Sequence, residues 1–344
     1  MAIGGGTGLS TLLHGLKPYA RPTRLSPTPL IDVVAVVTVT DDGGSSGRLR
    51  RDFEVLPPGD IRNCMLALSE DEALLAHLFR YRFSTGHGLK GHSFGNLFLT
   101  ALTQITGDFP QAVKLSSEVL AIVGRIYPST ATNVVLEARL QDGSTVLGET
   151  RISKSRSRIE AIALNPRRCT PLRETLQAIA QADLITLGPG SLFTSIVPNL
   201  LGRGIPQAIR NSPAVKACFV NLMWQPGETV NFTAADHIAA IYKHARLKLL
   251  DYAVLNTRDI PEPLRRKYAR LRALPVENDP HRLAAMGLTI LSRDLLQESA
   301  KVRHDPDAIA AVALELAEEG RKRRHKSRTT FTPTTQAWKL QSRS

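Results

Sequence analysis

A mostly parallel α/β sheet with helices on both faces and a small antiparallel β insertion is the fold class the sequence predicts. Three observations predict it. Residues 31–39 are apolar except for Asp32 and Thr38, and rich in valine, the pattern of a strand buried on both faces. Twice, a short apolar strand runs straight into a glycine turn: residues 1–3 into Gly4-Gly5-Gly6-Thr7-Gly8, and residues 183–187 into Gly188-Pro189-Gly190-Ser191. Between these two units, residues 133–140 and 144–149 flank Asp142-Gly143, a hairpin signal.

Each element follows in order. The first strand is short against the usual ~5–6 residues, so the true start of the chain is expected upstream of Met1. A helix over 9–17 is stopped by Pro18. The valine-rich strand ends at Asp41-Asp42-Gly43-Gly44-Ser45-Ser46-Gly47, read as a turn. Helical patterns occupy 61–69, 72–82, 96–106 and 109–120. The antiparallel insertion spans about 125–165, with a third strand over 158–164. The α/β rhythm then returns with a helix over 172–182 and strands over 183–187 and 217–222. A helix over 234–245, strands over 252–256 and 288–291, and a final helix over 307–319 complete the pattern. One domain is expected over 1–320, followed by a tail over 321–344 that is too poor in apolar residues to fold.

Composition narrows the function classes. The chain has 344 residues, 42% hydrophobic and 22% charged, as in ordinary globular proteins. Aromatics make up 5%, too few for a base-stacking platform. The formal charge is +13, but residues 321–344 contain eight Lys and Arg and no acid, which leaves +5 for the body. Nucleic acid is therefore not an expected partner of the body. The tail could meet nucleic acid or anionic membrane through charge alone, but a flexible solubilising end is the expectation. Cys64, Cys169 and Cys218 are far apart and form no C-x-x-C pair, which fits a reducing compartment without a disulfide framework or zinc site. No secretory signal or apolar run of membrane-spanning length is present. Cytoplasm is the expected location.

The motifs point to an anion. A glycine turn between strand and helix lets backbone N–H groups approach a phosphate at the helix N-terminus. The spacing of residues 4–9 is neither a dinucleotide G-x-G-x-x-G nor a P-loop. Two such turns in one chain suggest a ligand with more than one phosphate, or one bound between two halves of the sheet. Asp41 and Asp42 could hold Mg²⁺ or accept ribose hydroxyls; neighbouring side chains on extended backbone point opposite ways, so one of the two is expected to act. Ser45 and Ser46 could form another anion nest. Asp60 reads as a helix N-cap, and Arg62 as a partner for phosphate. Gly91-His92-Ser93-Phe94-Gly95 formally matches a hydrolase nucleophile elbow, but the polar, glycine-rich residues before it cannot supply the required strand. Ser93 and Asn96 then read as polar groups at a helix start. Asn221, Gln225, Glu228 and Thr229 follow another strand end and could read a base or sugar edge. Asp236 and His237 read as a surface helix face, Asp305 or Asp307 as a cap, and Arg303 as a surface arginine that could reach a diphosphate.

Residues 4–10, 41–47, 57–63, 91–96 and 188–199, together with 223–229 and Asp236-His237, resemble the gluconeogenesis factor family, also called YvcK-like. The likeness runs to about Asp305. That family is related to the CofD 2-phospho-L-lactate transferases. The resemblance implies a Rossmann-like fold that binds UDP-sugars such as UDP-N-acetylglucosamine. It also implies a role in cell shape during gluconeogenic growth, with a protein partner in cell-wall metabolism and no established reaction. Homo-oligomers are compatible with it. Gly4, Gly5, Gly6, Thr7, Gly8, Asp41, Asp42 and Ser191 match motif positions expected to line the nucleotide crevice, and Arg303 matches the late arginine that contacts the sugar nucleotide. The alternative it carries is a CofD-like transferase in which Asp41 or Asp42 holds Mg²⁺.

Overall fold

The computed structural model describes residues 1–22, 26–69, 74–155 and 157–329. In chain order the elements are β1 (Ala2–Gly4), α1 (Gly6–Leu16), β2 (Val34–Val37), α2 (Gly44–Phe53), α3 (Gly59–Leu68), α4 (Leu74–Arg80), α5 (Phe94–Thr106) and α6 (Phe109–Val119). Then come β3 (Arg125–Pro128), β4 (Val135–Leu140), β5 (Thr145–Leu147), α7 (Glu149–Ile152), β6 (Ile159–Asn165), α8 (Arg173–Gln181) and β7 (Leu184–Leu187). The chain continues with α9 (Val197–Leu200), α10 (Ile205–Asn211), β8 (Val215–Phe219), α11 (Ala234–Ala245) and β9 (Tyr252–Asn256). It closes with α12 (Glu262–Ala269), α13 (Pro280–Ala285), β10 (Thr289–Arg293) and α14 (Pro306–Thr329).

Seven strands form one sheet in the order β10-β9-β8-β7-β1-β2-β3, and every pair in it is parallel. Every residue of β1, β2 and β7 is buried, as a sheet covered on both faces requires. The three-residue β1 is the pivot: it pairs with β2 on one side and β7 on the other. Strands after β1 run outward in one direction as far as β3, and from β7 onward in the other. This reversal is the topological switch point, where open α/β sheets form a crevice at their carboxyl ends. Both glycine turns leave adjacent strands there. In α1, Leu9, Leu12, Leu13 and Leu16 form the apolar stripe, packed against α3 and α14.

The antiparallel sheet, in the order β5-β4-β6, matches the expected insertion with one correction. Residues 125–128 are not part of it; as β3 they extend the parallel sheet beside β2. Two further expectations change. Residues 44–53 form a helix, not a turn: Ser46 Oγ accepts from Gly59 N at 3.1 Å and Ser45 Oγ accepts from Asn96 Nδ2 at 3.1 Å, so tertiary bonds hold a segment of poor helix propensity. The last helix does not stop near Gly320 but runs to Thr329. Gly320 lies against the entry to the central strand β7, where a Cβ would fall 1.8 Å from the Asp183 carbonyl oxygen. Beyond it, Arg321 and Arg324 pair with Asp183, and Arg323 pairs with Asp251 and Glu319. Residues 72–73 of the expected helix 72–82, and the tail over 330–344, lie outside the described residues. No helix among the described residues is long and apolar enough to cross a membrane.

Candidate functional site

The two glycine turns meet at one cleft of about 420 Å³. One wall is the start of α1, with Gly5, Gly6, Thr7, Gly8 and Thr11. Gly5 caps this eleven-residue helix without any side-chain bond. The amides of Thr7 and Gly8 have no acceptor among the described residues, and helix N-termini favour negative charge. The second wall is Pro189, Gly190 and Ser191, and the third is the loop after β8, from Asn221 to Gln225. Tyr268, Val302, Arg303 and His304 close the far side.

Gln225 fastens two of these walls. Its Nε2 donates to Ser191 Oγ at 2.6 Å, and its Oε1 accepts from Leu192 N and Asn221 Nδ2, each at 3.3 Å. Arg303 is exposed at the rim and has no side-chain hydrogen bond or ion pair among the described residues. His304, beside it, is buried. Burial holds its imidazole down at about 4, so it is neutral near pH 7. Its Nε2 has no partner among the described residues.

Of the residues predicted from sequence, Gly5, Gly6, Thr7, Gly8, Gly190, Ser191, Asn221 and Arg303 line this cleft. Gly4 and Gly188 end the strands just behind it: the Gly4 carbonyl accepts from Asn199 Nδ2 at 3.0 Å, and Gly188 N donates to Ile3 O at 3.0 Å. Ser45, Ser46, Arg62 and Asn96 do not line it. They form a polar cluster on the β2 side, where Arg62 donates to Ser93 Oγ and to Asn63 Oδ1, and Ser45 Oγ lies 3.0 Å from His92 Nδ1. The expected serine nest is thus consumed in helix packing, although Arg62 Nε and Asn96 Oδ1 stay buried without partners among the described residues. Ser93 is the buried N-cap of α5, accepting from Asn96 N. No strand precedes it, so no nucleophile elbow exists there.

Asp41 and Asp42 have different hydrogen-bond partners. Asp42 Oδ1 accepts from Thr150 N at 2.8 Å and Thr150 Oγ1 at 2.6 Å, which ties the insertion to the sheet. Among the described residues, Asp41 Oδ1 accepts only from Gly43 N, at 2.9 Å. Asp60 and Glu149 are both within electrostatic reach of Asp41. Asp60 is not a cap, since α3 starts at Gly59 after Pro58; instead it accepts from Gly6 N behind the first glycine turn. Burial, then the Asp41 charge, raises Asp60 to about 6. Glu149, at the start of α7, is raised to about 9 by burial and by Asp60, Asp41, Glu228 and Asp42. No cluster of three or more His, Cys, Asp or Glu side chains among the described residues could hold a metal ion.

The remaining expectations resolve as packing. Asp236 completes a capping box with Thr233 and pairs with Arg282. His237 is buried rather than on the surface, with Nδ1 2.8 Å from Thr233 O and its ring edge-on to Phe232. Asp305 does cap the last helix, accepting from Ala308 N at 2.9 Å. Sequence reasoning missed Tyr268 and His304 as cleft residues and Gln225 as its fastener. Tyr268 carries no local signal, because only the fold brings α12 to this crevice.

Fold and cleft together define a Rossmann-like α/β protein with a polar crevice at the switch point of a parallel sheet. The chain belongs to the CofD family: the profile described as 2-phospho-L-lactate transferase CofD matches residues 1–296. It is similar to the gluconeogenesis factor of Bacillus subtilis, 45% identical over 318 residues, covering 92% of this chain and 97% of that protein. The gluconeogenesis factor of Halalkalibacterium halodurans is 43% identical over 316 residues, covering 92% and 95%. A crystal structure of a UPF0052 family member from Bacillus halodurans superposes with a TM-score of 0.86 at 43% identity, covering 91% of this chain and 97% of that one.

Proposed function

We propose that this chain is a UDP-sugar-binding regulatory protein, a gluconeogenesis factor acting in the cytoplasm to support cell shape during gluconeogenic growth through a partner in cell-wall metabolism. The observation that carries this reading is the meeting of two strand-end glycine turns at one cleft. The free amides at the start of α1 and the turn after β7 offer donors to a diphosphate. Asn221 and Gln225 present amide groups to the base or sugar, and Arg303 supplies a charge-assisted contact that no carboxylate among the described residues competes for. UDP-N-acetylglucosamine should bind in a calorimetric titration, and Arg303→Ala should weaken it about tenfold. Equal affinity in the two proteins would contradict the reading.

The alternative is a Mg²⁺-dependent transferase of a nucleoside-phosphate-linked group, as the CofD relationship suggests. Within that reading Asp41 is the better placed of the two adjacent aspartates, because the Asp42 carboxylate already takes two donors from Thr150. Asp41 would hold the ion, which would neutralise charge on the diphosphate and leaving group. Mass balance on UDP-sugar incubated with Mg²⁺ separates the two. Turnover abolished by Asp41→Asn supports transfer, and an intact ligand supports binding alone.

A further inference from the structure

The loop over 223–229 has a second concavity on its other side, about 550 Å³ in volume. Lys154 and Arg158, from the segment between α7 and β6, and Arg272, from the turn after α12, line it. All three are exposed, and none is within ion-pair distance of a carboxylate among the described residues. Arg158 is held in place, its guanidinium 4.8 Å above the Phe232 ring, a cation–π contact that leaves its N–H edges free. Among the described residues, the one carboxylate lining the pocket is Glu228. It is buried and engaged by Phe193 N at 3.3 Å and by Thr194 Oγ1 and Ser153 Oγ at 3.4 Å, and burial raises it to about 7.

Two residues of this pocket, Asn231 and Arg272, have left-handed backbone (φ of 61° and 57°). Strained non-glycine positions of this kind gather at ligand sites. Three cations lining one concavity repel each other, and none of them is ion-paired among the described residues. We infer that this pocket is a second anion site, separate from the cleft, that takes a small phosphorylated polyanion. Two guanidinium groups and an ammonium match the several oxygens of phosphoryl groups, and the volume suits a metabolite rather than a polymer. The inference does not depend on what fills the cleft.

Inorganic pyrophosphate is the solution probe and tungstate the crystallographic one, both used on the full chain. Crystals soaked in tungstate should show an anomalous peak between Lys154, Arg158 and Arg272. In calorimetry at low salt, the double variant Arg158→Gln/Arg272→Gln should lose a pyrophosphate-binding event, or weaken it at least about tenfold, with unchanged circular dichroism. Arg303→Ala, which alters only the cleft, should keep that event. Tungstate found only at the start of α1, or a double variant that titrates like the parent, would overturn the inference.

Discussion

Gly8 lies directly against Pro189: a Cβ at position 8 would fall 2.3 Å from the Pro189 carbonyl oxygen. The first helix therefore begins in contact with the turn that follows β7, although 181 residues separate the two positions in the chain. Any side chain at position 8 would part the walls of the cleft. The neighbour is backbone, so it cannot yield by a rotamer change.

Gly8→Ala should accordingly destabilise the protein by about 1–3 kcal/mol. It should also weaken ligand binding by more than the loss of stability explains. Urea unfolding together with calorimetry of the folded variant at low temperature checks both. A variant with parental stability would show that the turns are free to separate.

Arg303→Ala should behave differently. The side chain is exposed and without a partner among the described residues, so stability should change by no more than about 0.5 kcal/mol while UDP-sugar affinity falls. A melting temperature lowered in parallel with affinity would assign Arg303 a packing role instead.

The two adjacent aspartates should separate cleanly. Asp42→Ala removes two bonds to Thr150 and should cost about 1–3 kcal/mol, loosening the insertion first. Hydrogen exchange should report the loosening in β4 to β6. Asp41→Asn should leave stability nearly unchanged. Similar losses in the two variants would contradict this division of roles.

The buried acids set a pH dependence. Glu149, Asp60 and Glu228 are raised to about 9, 6 and 7, so between roughly pH 4.5 and these values the folded state keeps protons that the unfolded chain releases. Stability from these groups therefore falls as pH rises through that window. Glu149→Gln mimics the protonated form. Its thermal midpoint should match the parent near pH 4 and exceed it increasingly up to about pH 9, by about 2–4 °C for each kcal/mol gained. Midpoints that run parallel across the range would refute the assignment.

Much of this fold is legible in the chain because the decisive signals are local. The helix Ala234–Ala245 and the strand Tyr252–Asn256 fall where periodicity and burial place them, and the Asp142-Gly143 turn announces β4 and β5. What escaped is held by distant partners. Helix α2 begins in glycine and serine, and its bonds to Gly59 and Asn96 come from α3 and α5. The end of α14 is a run of like charges in sequence, yet its arginines meet Asp183 and Asp251 at the ends of the connections into β7 and β9. Strand β3 belongs to the parallel sheet through its pairing with β2, which its four residues do not declare.

The site divides in the same way. Backbone donors were readable, because glycine after a strand has one main use, and these residues do gather at the cleft. Side-chain roles were not: Ser45, Ser46 and Asp42 are polar groups of the expected kind spent on packing. The Asp60 carboxylate reaches Gly6 N only because α1 and α3 pack together in space.

A crystal structure of the full chain with UDP-N-acetylglucosamine would test the central proposal most directly. The diphosphate oxygens should lie within hydrogen-bond distance of the Thr7 or Gly8 amide and of the turn carrying Gly190 and Ser191, with Arg303 on the ligand. A ligand seated elsewhere, or a cleft left empty at saturating concentration, would contradict it.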